Sequence, residues 1–208
     1  MLENFIGFAI LAGLLTLMPG IDTAQVLRAV TINGRSRGFA TLFGILGGVW
    51  IWGIAAALGI SALLLASDIA YTALKWAGAL YLTYLGVKMW LDSRHITHES
   101  IQARSESKLT FWKSFLRALL ITLSNPKNGV FYVAVLPQFL PSELPALLGG
   151  FILATIHNVL TFTWFSLLIL GAGFARASLK NPKAQKIIER LSGVALIGFG
   201  LRIAFAGK

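Results

Sequence analysis

The side chains best able to do chemistry in this chain are a lone acid and a lone ammonium group in apolar segments. Asp22 is the only acid near the interior of a long uncharged run, and Lys127 lies 10 residues beyond Arg117. Ten residues of helix rise about 15 Å, which would place Lys127 near the midplane of a bilayer. A charge at that depth needs a counter-charge, carbonyl groups or water, and Asp22 is the obvious partner. We expect a structural ion pair or a polar binding site.

Two prolines lie beside these groups and predict interrupted helices. Pro19 deprives the carbonyl of Leu15 of its helical partner, and Pro126 does the same to Thr122. A carbonyl freed in hydrocarbon is costly unless protein, water or a ligand contacts it. Gly20 permits a sharp break after Pro19. The two breaks predict either packed kinks or two walls of one polar cavity.

The cavity interpretation predicts a site for an amino acid. Asp22 would take the ammonium group and Lys127 the carboxylate, helped by N–H groups at a broken helix. Protonation of Asp22 would weaken its hold on both cations, which is a simple route to proton coupling. Asp22 and Thr23 are also expected to cap the helix that resumes. The predicted site residues are Pro19, Gly20, Asp22 and Thr23 from one break and Asn125, Pro126 and Lys127 from the other.

His157 and Asn158 are further candidates, because they lie in the middle of the uncharged run over 144–175. A single membrane histidine is either a hydrogen-bonded packing residue or a proton relay, and packing is the favoured interpretation. No H-E-x-x-H pattern, acid pair or Walker A motif occurs in the sequence. We therefore expect no catalytic residue, no metal and no cofactor.

The composition sets the class of protein in which these residues work. Of 208 residues, 56% are hydrophobic and only 12% are charged, about half the usual share of a soluble domain. Cysteine is absent, which excludes disulfides and thiolate chemistry. The uncharged runs are long and do not alternate, so helices are expected rather than barrel strands. We predict an all-α integral membrane protein with six transmembrane helices, at about 4–27, 38–66, 69–91, 114–136, 145–174 and 191–206.

The basic residues give the predicted orientation. The net charge is +10, and 14 of the 18 Lys and Arg residues fall in the segments 27–38, 88–117 and 175–190. All three lie on one side of a six-span arrangement, which the positive-inside rule assigns to the cytoplasm. Both termini would then face outward. Because this charge bias serves orientation, no nucleic-acid partner is expected, and membrane lipid is the natural contact of the basic loops.

An internal repeat is predicted within a single transporter-like domain over 1–208. Each half, about 1–91 and about 114–208, would hold three spans, with a polar cytoplasmic linker at about 92–113. Both halves begin with a proline-interrupted helix, and their third helices carry the similar segments Gly86-Val87-Lys88 and Gly200-Leu201-Arg202. Three spans per half would insert the halves in opposite orientations, as two inverted three-helix repeats. Shared composition of membrane helices is the alternative explanation.

Several segments together resemble a known family. They are Met18-Pro19-Gly20-Ile21-Asp22-Thr23, Gly34-Arg35-x-x-Gly38, Leu74-Lys75-x-x-Gly78-Ala79-x-Tyr81-Leu82-x-x-x-Gly86, Asn125-Pro126-Lys127 and Leu136-Pro137-Gln138-Phe139. Over essentially its whole length the chain resembles the LysE/RhtB family of bacterial amino-acid exporters. Met18 and Ile21 depart from the family's usual T-P-G-P, a difference that bears on the local bend or the substrate.

The resemblance implies a proton-driven exporter of amino acids or close derivatives in the bacterial cytoplasmic membrane. It also implies a homo-oligomer, with a dimer as the expected state, and the export direction comes from the resemblance alone. Two other classes stay open. One is an intramembrane enzyme acting on a lipid-like substrate, which would need an acid cluster that the sequence lacks. The other is a passive channel.

Overall fold

The computed structural model describes residues 1–18, 20–66, 68–92, 109–171 and 182–205. Within these ranges every regular element is helical, as the sequence predicts. The main helices are α1 Leu2–Leu17, α2 Ile21–Asn33, α3 Arg35–Ala66, α4 Asp68–Asp92, α5 Phe111–Ser124, α6 Pro126–Val130, α7 Ala146–Leu170 and α8 Pro182–Phe205. Between α6 and α7 lie a π-helical turn, Phe131–Val135, and a 3₁₀ turn, Leu136–Phe139.

Length and hydropathy mark fewer spans than the six predicted. In the described part of the chain, the stretch Arg35–Gly59 of α3 and the whole of α7 are long and apolar enough to cross a bilayer. Helices α1 and α2 meet the same test as a pair, bent by 51° between them. The six-span arrangement stays a prediction, and the predicted linker lies largely outside the described residues.

Both predicted helix breaks occur. The helix expected over 4–27 stops at Leu17 and resumes at Ile21, and the one expected over 114–136 stops at Ser124 and resumes at Pro126. Pro19 lies outside the described residues. Helix α8 begins earlier than the predicted span at 191, because hydropathy marks only an apolar stretch, whereas Lys, Glu, Arg and Gln continue a helix readily.

Small residues bring the long helices into close contact. A Cβ added at Gly44 of α3 would lie 2.2 Å from the carbonyl oxygen of Phe115, and one at Gly48 would lie 2.6 Å from the Thr122 side chain. Helix α3 therefore packs backbone to backbone against α5, as expected for a pair of glycines spaced four residues apart. On its other side α3 meets α7, where Gly53 faces Ala154. Of the predicted site residues, α7 carries His157 and Asn158, and α5 leads directly into Asn125, Pro126 and Lys127.

Helices α4 and α8 form a second close pair. A Cβ at Gly86 would lie 2.6 Å from the carbonyl oxygen of Gly193, and one at Gly200 would lie 2.8 Å from that of Ala79. The chain numbers rise along one helix as they fall along the other, so the two helices run antiparallel. This pair also contacts the π-helical turn and α1, and so supports the two breaks from one side.

Candidate functional site

The carbonyl group freed at the first break is met by the lysine of the second. Helix α1 ends at Leu17, and Met18 is extended, with φ −60° and ψ 125°. The Lys127 ammonium nitrogen Nζ lies 3.5 Å from the carbonyl oxygen of Leu15 and donates to it. The same Nζ lies 3.4 Å from the position of a Cβ built on Gly20. The absence of a side chain at Gly20 thus leaves the ammonium group room beside the break.

At the second break, the backbone groups without helical partners are hydrogen-bonded by side chains and backbone held in place by packing. Asn125 caps α6, because its side-chain Oδ1 accepts a hydrogen bond of 3.0 Å from the backbone N–H of Lys127. The Thr122 carbonyl accepts hydrogen bonds of 3.3 Å from the Trp52 indole and from the backbone N–H of Asn125. Asn125 and Pro126 therefore orient the helix turn that carries Lys127.

Asp22 lies in the first turn of α2 but does not cap it. The N-cap residue is Gly20, which is extended and makes no side-chain cap. The expectation that Asp22 and Thr23 cap this helix is wrong, because the chain turns two residues before Asp22. Instead, Asp22 Oδ2 accepts from the Asn128 amide at 3.3 Å, and Oδ1 accepts from the Gln25 amide at 3.4 Å.

The acid and the ammonium group share one cavity without a direct ion pair. Among the described residues, the Asp22 carboxylate and Lys127 Nζ do not approach within 4.0 Å. Both line a cavity of about 20 Å³ between the two breaks and α7. That volume holds one or two water molecules, since one needs roughly 10–15 Å³, and is far too small for an amino acid. The polar residues around it are Thr16, Asp22, Thr23, Lys127, Asn128, His157 and Thr161.

His157 reaches the cavity from α7 and is held by a tyrosine. Its Nδ1 lies 2.8 Å from the hydroxyl oxygen of Tyr132, and the two rings stack with centroids 5.8 Å apart. Phe131 packs against the same imidazole edge-on. Both His157 and Tyr132 are buried. The imidazole is thus fixed by hydrogen bonding and packing while one part of it borders the cavity.

The predicted site residues fall into two groups. Gly20, Asp22, Thr23, Lys127 and His157 come together around the cavity. Two others do not border it: Asn125 caps the helix turn that carries Lys127, and Asn158 donates a hydrogen bond of 3.2 Å to the Leu46 carbonyl on α3.

Sequence reasoning missed several residues of this site. Asn128 holds the Asp22 carboxylate, and Tyr132 holds His157. Thr16 and Thr161 lie 3.4 Å apart across the α1–α7 contact. A signal was present for Asn128 alone, because a second amide directly after Asn125-Pro126-Lys127 is an unusual concentration of polar groups. The others become visible only when helices from different parts of the chain are packed together.

Comparison with known proteins identifies the family. A family model described as LysE type translocator matches residues 14–207. The chain belongs to the LysE type translocator family. The LysE/RhtB resemblance seen in the motifs around both breaks is thereby confirmed.

The relatives of this translocator cover nearly its whole length. An uncharacterized membrane protein of Bacillus subtilis, YrhP, is 29% identical over 97% of this chain and 98% of its own. A leucine efflux protein of Salmonella choleraesuis is 30% identical over 97% of this chain and 94% of its own length. A homoserine/homoserine lactone efflux protein of Salmonella typhi is 29% identical over 98% of this chain and 97% of its own length. No solved structure matches the chain. With the apolar helices, these relatives make it a multi-pass membrane protein.

Proposed function

We propose that this protein is a secondary transporter that exports an amino acid or a close derivative across the cytoplasmic membrane. The observation that carries the proposal is the Lys127 ammonium group bound at the broken helix, in one cavity with the Asp22 carboxylate. Relatives of nearly equal length are named for the efflux of leucine and of homoserine. An amino acid carries the same two charged groups that this cavity presents.

The contacts suggest how substrate would bind. The Leu15 carbonyl is occupied by a lysine ammonium, which is chemically equivalent to the ammonium group of an amino acid. We expect the substrate to displace Lys127 from this carbonyl and place its own ammonium group between Leu15 and Asp22. The released Lys127 would then pair with the substrate carboxylate. A flexible side chain that holds a single hydrogen bond of 3.5 Å is well suited to such an exchange.

Proton antiport would act through Asp22. A protonated Asp22 holds neither a substrate ammonium group nor Lys127 strongly, so a proton entering from outside would favour release of the amino acid. The carboxylate is held by two neutral amides, those of Asn128 and Gln25. Neutral partners leave it able to exchange a cation for a proton without breaking a strong ion pair.

Alternating access is the expected transport cycle. The cavity of about 20 Å³ excludes an amino acid, so substrate binding requires the helices around it to separate. Both breaks border the cavity, and broken helices allow their two parts to move independently. We propose that the described arrangement is the closed state between an inward-open and an outward-open form.

We also propose the six-span, inverted-repeat architecture, with both termini outside the cell and a homodimer as the assembly. The antiparallel crossing of α4 and α8 supports it, because Gly86 and Gly200, which the sequence pairs as repeat equivalents, take equivalent positions there. Helices α3 and α7, the second long helices of each half, also cross antiparallel: Gly53 meets Ala154, and Gly150 meets Ala57. Third helices that run in opposite directions are required if the halves are inverted.

Reconstituted transport tests the function. Proteoliposomes loaded with radiolabelled L-leucine or L-homoserine should move it against its gradient when a pH gradient is imposed. Asp22→Asn and Lys127→Ala should each lower uphill transport by at least ~100-fold, since each removes one of the two charged groups that would hold the amino acid. The exposed Glu3→Gln and Lys113→Ala serve as matched controls and should transport normally.

The same assay separates the alternatives. A channel would equilibrate the amino acid but would not accumulate it, and an enzyme would release a chemically altered product. If Asp22→Asn and Lys127→Ala both transport uphill at the rate of the unmodified protein, the site assignment is wrong.

A further inference from the structure

A second and larger cavity lies between α2 and α5. We name it the basic chamber; the residues that line it include Gln25, Arg28, Ile32, Ser114, Arg117 and Ile121. Its volume is about 320 Å³. Ligand pockets in proteins start at roughly 300 Å³, so the chamber has room for a small molecule. The central cavity, at about 20 Å³, has none.

The charged residues of the basic chamber favour an anion. Arg28 projects from α2 and Arg117 from α5, and no acid is among the described residues that line the space. Two guanidinium groups on facing helices are suited to a carboxylate, which they bind through paired N–H donors.

Ser114 is an independent sign of a ligand. It lines the basic chamber and is only 3% exposed. Its hydroxyl oxygen is buried and has no hydrogen-bond partner in the described part of the chain. Buried hydroxyl groups normally have partners, so an unsatisfied one that faces a cavity indicates where a polar group would be accepted.

Apart from Asn33 and Thr41, the remaining wall is apolar. Ile21, Ile32 and Ile121 contribute branched side chains, and Ala24 and Ala29 leave space between them. An occupant would thus have a carboxylate at one end and an apolar body at the other. Amino acids with branched or long aliphatic side chains fit this description better than short polar ones.

The basic chamber is connected to the central site through Gln25. This residue lines the chamber, and its amide nitrogen donates to the Asp22 carboxylate, which lines the central cavity. Asp22 and Gln25 are three residues apart on α2, a rise of about 4.5 Å. This hydrogen bond, at 3.4 Å, is long and therefore weak.

We infer that the basic chamber is a loading site, which binds an amino acid with an apolar side chain by its carboxylate before the central cavity opens. The inference rests on the proposed transport function and specifies its substrate class. Arg28 and Arg117 belong to segments predicted to be cytoplasmic, the side from which an exporter takes its substrate. Arg117 and Ser114 are assigned a role in substrate affinity, and Gln25 a positioning role between the two sites.

Transport kinetics in proteoliposomes test the loading site. Ser114→Ala removes a single hydroxyl oxygen, and Arg117→Gln removes a charge. Each should raise the KM for L-leucine about tenfold and leave the maximal rate within about twofold, because the central site is intact. Lys113→Gln, an exposed cation four residues from Arg117 on α5, should change neither value. The KM for L-homoserine should exceed that for L-leucine in the unmodified protein.

Equilibrium binding provides a readout independent of transport. Purified Lys127→Ala protein, which should not transport, should still bind radiolabelled L-leucine, and adding Ser114→Ala should weaken that binding about tenfold. Failure of Lys127→Ala to bind L-leucine, while the unmodified protein does, would overturn the loading site and leave the transport function standing.

An anionic lipid headgroup is the competing occupant, since it too joins an anion to an apolar body. Vesicles of phosphatidylcholine alone should give the same KM changes as vesicles that also contain phosphatidylglycerol. Changes that occur only with phosphatidylglycerol would assign the chamber to lipid and overturn the inference. Unchanged KM values in both Ser114→Ala and Arg117→Gln would also overturn the inference. If the unmodified protein transports neither amino acid, the proposed function and the loading site fall together.

Discussion

The two freed carbonyl groups of this protein have different kinds of donor. The Leu15 carbonyl receives a lysine ammonium on a flexible side chain, whereas the Thr122 carbonyl receives an indole N–H from Trp52. The indole is also packed against Gly129, where an added Cβ would lie 2.9 Å from the ring. Under the proposed function, a substrate ammonium group would replace the first donor but not the second. The first break would then respond to substrate, and the second would hold the helices in place.

Trp52→Phe tests this division. The change removes the indole N–H and should lower the stability of the protein by about 0.5–1.5 kcal/mol, because the Thr122 carbonyl loses one of its two donors and keeps the Asn125 N–H. The KM for transport of L-leucine should stay unchanged. Melting temperature in detergent, followed by loss of the monodisperse peak in size-exclusion chromatography, measures the effect. Trp50→Phe is the matched control, since the Trp50 indole of α3 donates to the Thr155 hydroxyl of α7 in an exposed contact. Equal losses in both variants would contradict the assignment.

Tyr132→Phe separates the two interpretations of His157. It deletes the hydroxyl group that lies 2.8 Å from Nδ1 and leaves the ring stack in place. If His157 is a packing residue, the variant should lose about 1–3 kcal/mol of stability and keep the pH dependence of transport. A displaced pH profile with unchanged stability would instead favour a proton relay. Initial rates across a range of external pH, combined with melting temperature, decide between them.

At the scale of helices, the sequence predicted what depends on local chemistry. A proline removes its own N–H wherever it lies, so the positions of both breaks follow from Pro19 and Pro126 alone. The capping of α2 was predicted wrongly, because the N-cap residue depends on where the chain turns, and the extended backbone places the turn at Gly20. The partnership of Tyr132 with His157 had no local signal, since it depends on how the turn after α6 packs against α7.

Gly44→Ala should disrupt the contact of α3 with α5. The added Cβ would lie 2.2 Å from a backbone carbonyl oxygen, which cannot rotate away as a side chain can. Forcing the helices apart should cost about 1–3 kcal/mol and displace Lys127, so both melting temperature and transport should fall. Gly59→Ala on the same helix is the control, because nothing lies within 4 Å of its added Cβ. Normal transport by Gly44→Ala would show that this contact does not position the site.

At the scale of the whole molecule, the distribution of basic residues and the directions of the long helices both favour the six-span arrangement with inverted halves. Fourteen of 18 basic residues belong to segments that a six-span chain places on one side, and the long helices of the two halves cross antiparallel. The antiparallel crossings follow from packing and the charge bias from the positive-inside rule, so they are independent arguments.

The absence of cysteine makes the predicted orientation directly testable. Ser36 lies among the arginines at the start of α3, and Ser142 lies in the turn before α7, next to Glu143; both are exposed. If the basic side is cytoplasmic, a membrane-impermeant maleimide should label Ser142→Cys in intact cells and Ser36→Cys only in inverted vesicles. Because no native thiol competes, all labelling reports the introduced residue. Labelling of Ser36→Cys from outside would reverse the orientation, and the basic chamber would then open to the exterior, where an exporter has no substrate to load.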